Sequence, residues 1–210
     1  MNKPLRIGIT GGIGSGKSLI CKVFEVLQVP IYDADTMARK LMNSDAMLID
    51  QIKQEFGTLS YHGDGSLNRE YLGKEVFNDP GKLEKLNQLV HPRVAVDSEH
   101  WIERNKAHPY VVREAALLFE SGSYKLLDKI IVVTAPENLR VWRVLNRDKA
   151  KRKEEVMKII RSQMPEEEKI SRADFVIHND ETELVLPQVL KLHERFIASI
   201  KMRTSIDGLR

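Results

Sequence analysis

Leu5-Arg6-Ile7-Gly8-Ile9-Thr10, followed by Gly11-Gly12-Ile13-Gly14-Ser15-Gly16-Lys17-Ser18, is the stretch that decides the reading of this chain. Leu5 to Ile9 is a compact run of β-formers. Glycines then crowd the chain, and Lys17 to Leu27 has helical periodicity, so the order is strand, glycine loop, helix. Gly11 to Ser18 fits G-x-x-x-x-G-K-[ST] in full, in the strand-to-helix setting that this phosphate-binding motif requires. The spacing has a mechanical reason. Glycines allow positive φ and bring backbone N–H groups to phosphate oxygens, while the following helix points its positive end at the same anion. Lys17 adds a point charge for the β- and γ-phosphates, and Ser18 places a hydroxyl where a bridging magnesium ion needs a ligand.

Working outward, Val29 to Tyr32 reads as a second short strand ending at Asp33, with a helix over Thr36 to Met42. The opening is therefore a βαβ unit with parallel strands. Further strands are expected at Tyr110 to Arg113, Lys129 to Thr134 and Phe175 to Ile177. Few runs alternate strictly, as befits strands buried on both faces. Asp45 to Lys106 reads as a helical insertion, broken at Gly63-Asp64-Gly65 and Asp79-Pro80-Gly81. Asp148 to Arg172, with Lys149, Lys151, Arg152 and Lys153, reads as a solvated helical hairpin broken at Pro165. A last helix is expected over about Glu183 to Met202, with Pro187 in its first turn.

With 210 residues, 42% hydrophobic and 30% charged, the chain is globular rather than disordered or fibrous, and it has no apolar run long enough to span a bilayer. The opening Met1-Asn2-Lys3-Pro4 lacks a signal-peptide pattern. A soluble cytoplasmic protein, monomeric or a small homo-oligomer, is the expectation. Lone Cys21 supports neither a disulfide scaffold nor a cysteine metal site and reads as a packed residue. A net charge of +3, from 33 basic against 30 acidic residues, gives no ground for a nucleic-acid or membrane partner.

The motif also limits what is done with the phosphate. G-x-G-x-x-G is not met, which sets a dinucleotide fold aside. A GTPase guanine reader would be Asn-Lys-x-Asp, and Asn105-Lys106-Ala107-His108 lacks the aspartate. A motor or transporter needs far more chain. A small P-loop kinase fits the length and the two helical insertions. Asp33-Ala34-Asp35 closes the second strand, and ligands gather at the carboxyl ends of parallel strands. General-base work, a hold on metal-bound water, and helix capping are all open to these two carboxylates. Arg39, one turn beyond Asp35, is placed to pair with it or with an anionic acceptor.

Thr10 to Ser18 and Asp33-Ala34-Asp35-Thr36-Met37-Ala38-Arg39 together resemble the dephospho-coenzyme A kinase family. Further words follow in order: Phe56-Gly57, Asp64-Gly65-Ser66-Leu67-Asn68-Arg69, Val76-Phe77, His91-Pro92, Leu117-Leu118-Phe119-Glu120, Arg143, Arg147-Asp148, Gln163, Ala173-Asp174 and Asn179. The resemblance runs from residue 5 to about 190. It implies transfer of the ATP γ-phosphoryl group to the ribose 3′-hydroxyl of dephospho-CoA, the last step of coenzyme A synthesis. It also implies an α/β fold: a three-layer P-loop core on a parallel sheet (1–32, 108–147 and 173–210), a helical acceptor domain (33–107) and a helical lid (148–172).

By position, the resemblance makes Asp35 the base, with Lys17 and Arg143 beside it in catalysis. Gly11, Gly12, Ile13, Gly14, Ser15, Gly16, Lys17, Ser18, Arg147 and Asn179 would hold ATP, and Ser18 would ligate magnesium. Asp33, Arg39, Leu67, His91, Pro92 and Glu120 would line the acceptor site. Two bland readings stand beside these: His91-Pro92 as the shaper of a turn, and Glu120 as the solvated end of a helix. The chain departs from the family's Asp-x-Pro-Leu-Leu-Phe-Glu, reading Glu114-Ala115-Ala116-Leu117-Leu118-Phe119-Glu120. That exchange puts a magnesium role for residue 114 in question. A kinase for another small acceptor, and a nucleotide-binding switch or nucleic-acid-associated NTPase, are the competing classes.

Overall fold

Leu5–Thr10 forms β1 at the centre of a parallel sheet, seen here in a computed structural model that describes residues 3–77 and 79–207. The other strands are β2 (Ile31–Asp33), β3 (Tyr110–Glu114), β4 (Lys129–Thr134) and β5 (Phe175–His178), in the order β2-β3-β1-β4-β5. Every pairing is parallel. The register sets Ile9 beside Glu114 and Thr10 beside Val132, so the glycine loop leaves the sheet at its middle. Ile7, Ile9, Val112, Ile131 and Val132 are fully buried, which is why these strands read as continuous apolar runs.

Helix α1 (Lys17–Val26) turns Ile20, Cys21 and Phe24 inward onto this sheet. They join Ile7, Val112, Ile131 and Ile177, with Val189 and Phe196 of the last helix, in one core cluster. Tyr110 sits among them, edge-on to Phe24 and Phe196, and its hydroxyl shares a 2.6 Å hydrogen bond with His193 Nδ1. Val29, expected in the second strand, lies outside it because its N–H turns back to the Phe24 carbonyl at the end of α1.

Beyond β2 come α2 (Ala34–Ser44), α3 (Ala46–Phe56), α4 (Arg69–Phe77) and α5 (Pro80–Arg104); beyond β4 come α6 (Glu137–Arg147), α7 (Lys153–Ser162), α8 (Glu166–Ser171) and α9 (Val185–Asp207). The basic cluster expected within a helical hairpin lies largely outside one. Lys149, Lys151 and Arg152 occupy the turn before α7, where Lys149 donates to Asn146 and Lys151 faces Asp148 at 3.6 Å. Val141, Val144 and Val156 pack α6 against α7, with Ile13 of the glycine loop against the same cluster. Among the described residues no helix is long and apolar enough to cross a membrane.

The chain divides into two compact units, Met1–Asp33 with Ile102–Arg210, and Ala34–Trp101. The second is held by side chains that satisfy its loops. Tyr61 Oη donates to the Met42 carbonyl, Tyr71 Oη to the Phe56 carbonyl, and Asn43 Oδ1 accepts the Leu67 N–H. Asp45 caps α3 by accepting the Leu48 N–H at 3.1 Å and takes an ion pair from Arg93 of α5 at 2.6 Å. Burial pushes its carboxyl upward, but the Leu48 N–H and Arg93 outweigh that and hold it below the ordinary carboxylate range.

A depressed folded-state pKa adds stability above the unfolded value, lost as pH falls through the folded one. Asp45→Ala is therefore expected to cost about 1–2 kcal/mol near neutral pH. The difference from the native chain should shrink below about pH 4, which urea titrations at several pH values will measure.

Candidate active site

The phosphate loop takes its shape from close approaches that exclude a side chain. Gly14 has φ +79°, and a Cβ there would meet the Arg140 carbonyl oxygen at 2.4 Å. At Gly12 a Cβ would lie 1.8 Å from Arg140 Nη1. Gly16 precedes α1 in the left-handed region, and no acidic residue occupies the helix's first turn. The first N–H groups of a helix have no partner within it, so this end is fitted to an anion. Asn179 is buried after β5, and its Nδ2 donates to the Ser15 carbonyl at 2.8 Å, bracing the loop from behind. Gly14→Ala is expected to weaken ADP binding at least about tenfold in a calorimetric titration, through left-handed strain and the Arg140 clash. Gly63→Ala, where an added Cβ meets nothing within 4 Å, should leave binding unchanged.

Lys17 Nζ donates to the Gly11 carbonyl at 3.0 Å, so the ammonium curls over the loop. Ser18 Oγ donates to Glu114 Oε1 at 3.2 Å. Glu114 ends β3 and stands in register with Asp33, which ends β2. Burial pushes the Glu114 carboxyl above its ordinary range; Lys17 and hydrogen bonds from Cys21 and Ser18 pull it down, and Asp33 pushes it further up. Burial, followed by the neighbouring Glu114, raises the Cys21 thiol as well, so it stays protonated as a donor to Glu114. That accords with Cys21 as a packed residue.

Arg143 pairs with exposed Glu181 at 3.2 Å, while its Nη1 is buried with no hydrogen-bond partner among the described residues. Arg147 closes α6 in its last turn. Asp35 lies inside the first turn of α2, two residues past Asp33, where a carboxylate complements the helix dipole. Arg39 Nη2 donates to Thr36 Oγ1 at 3.1 Å. Leu67 is buried and bridges antiparallel to Tyr61.

His91 and Pro92 shape no turn, as they lie inside the 25-residue helix α5. Pro92 has no N–H to donate to the Gln88 carbonyl one turn earlier, and Gln88 is an exposed residue of the helix. Glu120 solvates no helix end. It accepts the Met164 N–H at 2.9 Å and faces buried Lys169 at 3.4 Å.

A family model described as dephospho-CoA kinase matches residues 5–184. The dephospho-CoA kinase of Bacteroides fragilis (strain YCH46) is 38% identical over 188 residues, 90% of this chain and 91% of its own. That of Salinibacter ruber is 40% identical over 178 residues, 84% of this chain and 89% of its own. The chain belongs to the dephospho-CoA kinase family. Two solved structures are similar in fold to this dephospho-CoA kinase family member. A Thermus thermophilus protein is 34% identical with a TM-score of 0.80, covering 94% of this chain and 98% of its own. The dephospho-CoA kinase from Campylobacter jejuni is 26% identical with a TM-score of 0.67, covering 90% and 95%.

In this dephospho-CoA kinase family member the surroundings of the loop hold residues that motif reading passes over. Arg140 is buried beside Gly12 and pairs with Glu166 of α8 at 2.8 Å. Glu166 also accepts a hydrogen bond from Thr134 at the end of β4. A 620 Å³ cavity lies between α6, α8 and the segment after β5, with Arg140, Gln163, Glu166, His178 and Asp180 on its walls. In the sequence Arg140 is one arginine among several on α6, and no spacing rule separates it from Arg143.

Proposed function

We propose that the protein transfers the γ-phosphoryl group of ATP to the ribose 3′-hydroxyl of dephospho-CoA, giving coenzyme A in the last step of its synthesis. The observation that carries this reading is the phosphate loop with Lys17 and Ser18 beside Glu114, in a chain matched to the family over residues 5–184. The loop N–H groups and the α1 N-terminus bind the polyphosphate. Lys17 supplies charge to the transferring oxygens, and Arg143 exchanges Glu181 for phosphate when ATP arrives. Arg147 and Asn179 complete the nucleotide side. Asp35 orients the 3′-hydroxyl and takes its proton late. Asp33, Arg39, Leu67, His91, Pro92 and Glu120 belong to acceptor binding.

Magnesium fits this chemistry as an ion shared with ATP. The described residues hold no cluster of three or more metal-ligating side chains, and magnesium keeps waters and phosphate oxygens while taking one or two protein ligands. Ser18 Oγ would hold it, with Glu114 and Asp33 nearby, and it would supply positive charge to the polyphosphate. In a loose transition state alignment and charge matter more than base strength, so Lys17, Arg143 and the loop carry most of the rate.

The division of labour proposed is a nucleotide core over 1–32, 108–147 and 173–210, an acceptor domain over 33–107 and a lid over 148–172. Replacing Lys149, Lys151, Arg152 and Lys153 together by alanine is expected to raise KM for ATP and leave KM for dephospho-CoA unmoved. An unchanged ATP dependence would return the segment to a solvated turn. The acceptor assignment is tested by ADP release from Mg-ATP in the presence of dephospho-CoA, adenosine or a nucleoside monophosphate. Stimulation by dephospho-CoA alone is expected, and equal stimulation by another acceptor would reject it.

A further inference from the structure

The connector between α7 and α8, with the residue that opens α8, is tied to the glycine loop, the segment after β3 and the β4–α6 region at three points in succession. Gln163 Oε1 accepts the Ile13 N–H at 3.0 Å. The Met164 N–H donates to Glu120 Oε1 at 2.9 Å. Glu166, the first residue of α8, pairs with Arg140 Nη1 at 2.8 Å and accepts from Thr134 Oγ1. Arg140 is nearly buried, so this is no loose surface pair. A Cβ on Gly12 would stand 1.8 Å from Arg140 Nη1 and 3.7 Å from Gln163 Oε1, so guanidinium and carboxamide both border that glycine.

One peptide unit of the phosphate loop is thereby pinned through both of its polar groups. The Gly12 carbonyl accepts the Ser15 N–H at 3.1 Å, and the Ile13 N–H of the same peptide is held by Gln163. Glycine at residue 12 makes this peptide easy to rotate, and a rotation would turn the carbonyl oxygen where the N–H now points. Rotation would break both bonds at once. A loop that samples several shapes binds its ligand more weakly, in proportion to the fraction in the competent shape.

We infer that Gln163 is a positioning residue for the nucleotide: it locks the Gly12–Ile13 peptide and couples the loop's shape to the seating of the α7–α8 connector. It acts through the backbone, by way of the Ile13 N–H. The inference rests on the ATP-dependent kinase reading, and it adds a residue to the nucleotide side that the phosphate-loop motif does not contain.

Gln163→Leu nearly keeps the side-chain volume and removes the acceptor. The dissociation constant for ADP, measured by calorimetry, is expected to rise about tenfold. KM for ATP should rise in step, while kcat and KM for dephospho-CoA hold. Amide hydrogen exchange in the peptide covering Ile13 should accelerate. Gln163→Glu keeps an accepting oxygen and is expected to hold that exchange near the native rate. ADP bound as tightly by Gln163→Leu as by the native chain would overturn the inference. So would both KM values and the melting temperature moving together, which marks general damage to the fold. ADP binding is read without an acceptor, so a failure of dephospho-CoA as substrate and a failure of this role are separate results.

Discussion

Lys17→Ala is expected to lower kcat by about a thousandfold, with the melting temperature close to native. The ammonium of half-buried Lys17, at the start of α1, donates to the Gly11 carbonyl, a bond the folded chain can replace with water. What water cannot replace is a fixed charge on the transferring oxygens, and removing a single such stabiliser costs about 10²–10³ in rate. The same substitution acts on Glu114. Lys17 pulls that carboxyl down against its burial, so Glu114 in the variant shifts further upward. Stopped-flow or steady-state turnover with saturating Mg-ATP measures the loss, and retained turnover would remove the kinase reading at its root.

Asp35→Asn is the second large effect, a fall in kcat of about a hundredfold or more, within the range for a positioned proton acceptor. The amide keeps the shape of the side chain and abolishes the charge. Asp35 lies inside α2 rather than ahead of it, and the loss of its favourable term with the helix dipole is worth only about 0.3–1 kcal/mol. Stability and activity therefore separate. Turnover should collapse while a thermal scan moves by a few degrees at most. If Asp35→Asn keeps full turnover, the base is elsewhere and Asp35 serves the helix alone.

The parts of the fold that were legible in the sequence are those set by local chemistry. β1, the glycine loop and α1 follow from a β-branched run, positive-φ glycines and an amphipathic stretch, each readable within about ten residues. The parallel sheet followed from the βαβ order. Val29 was misplaced because its apolar side chain is equally at home in a strand and in the loop that closes α1, and its N–H goes to Phe24. His91-Pro92 looked like a turn because proline usually ends a helix, yet a long helix with Gln88 exposed absorbs one missing bond. The basic cluster sits mostly in a turn because Asp148 and Asn146 engage its lysines.

The candidate site divides the same way. The strand-loop-helix setting of Lys17, Ser18 and the glycines was legible because the motif is a local spacing. Arg140, Glu166 and Thr134 were not, because what unites them is contact between α6, α8 and β4, across up to 32 residues of sequence. Glu120 was legible as a family word, and its bonds to Met164 and Lys169 came from the tertiary structure. Glu114 stood out as a departure from the family's aspartate. Its hydrogen bond from Ser18 shows the longer side chain reaching the same hydroxyl that magnesium would use.

The most direct test of the central claim is a product balance: purified protein with Mg-ATP and dephospho-CoA, with ADP and coenzyme A quantified together by chromatography over time. The account predicts equal amounts of both, with phosphate on the ribose 3′-oxygen. ADP without coenzyme A, or neither product from a chain that still binds ATP, would contradict it.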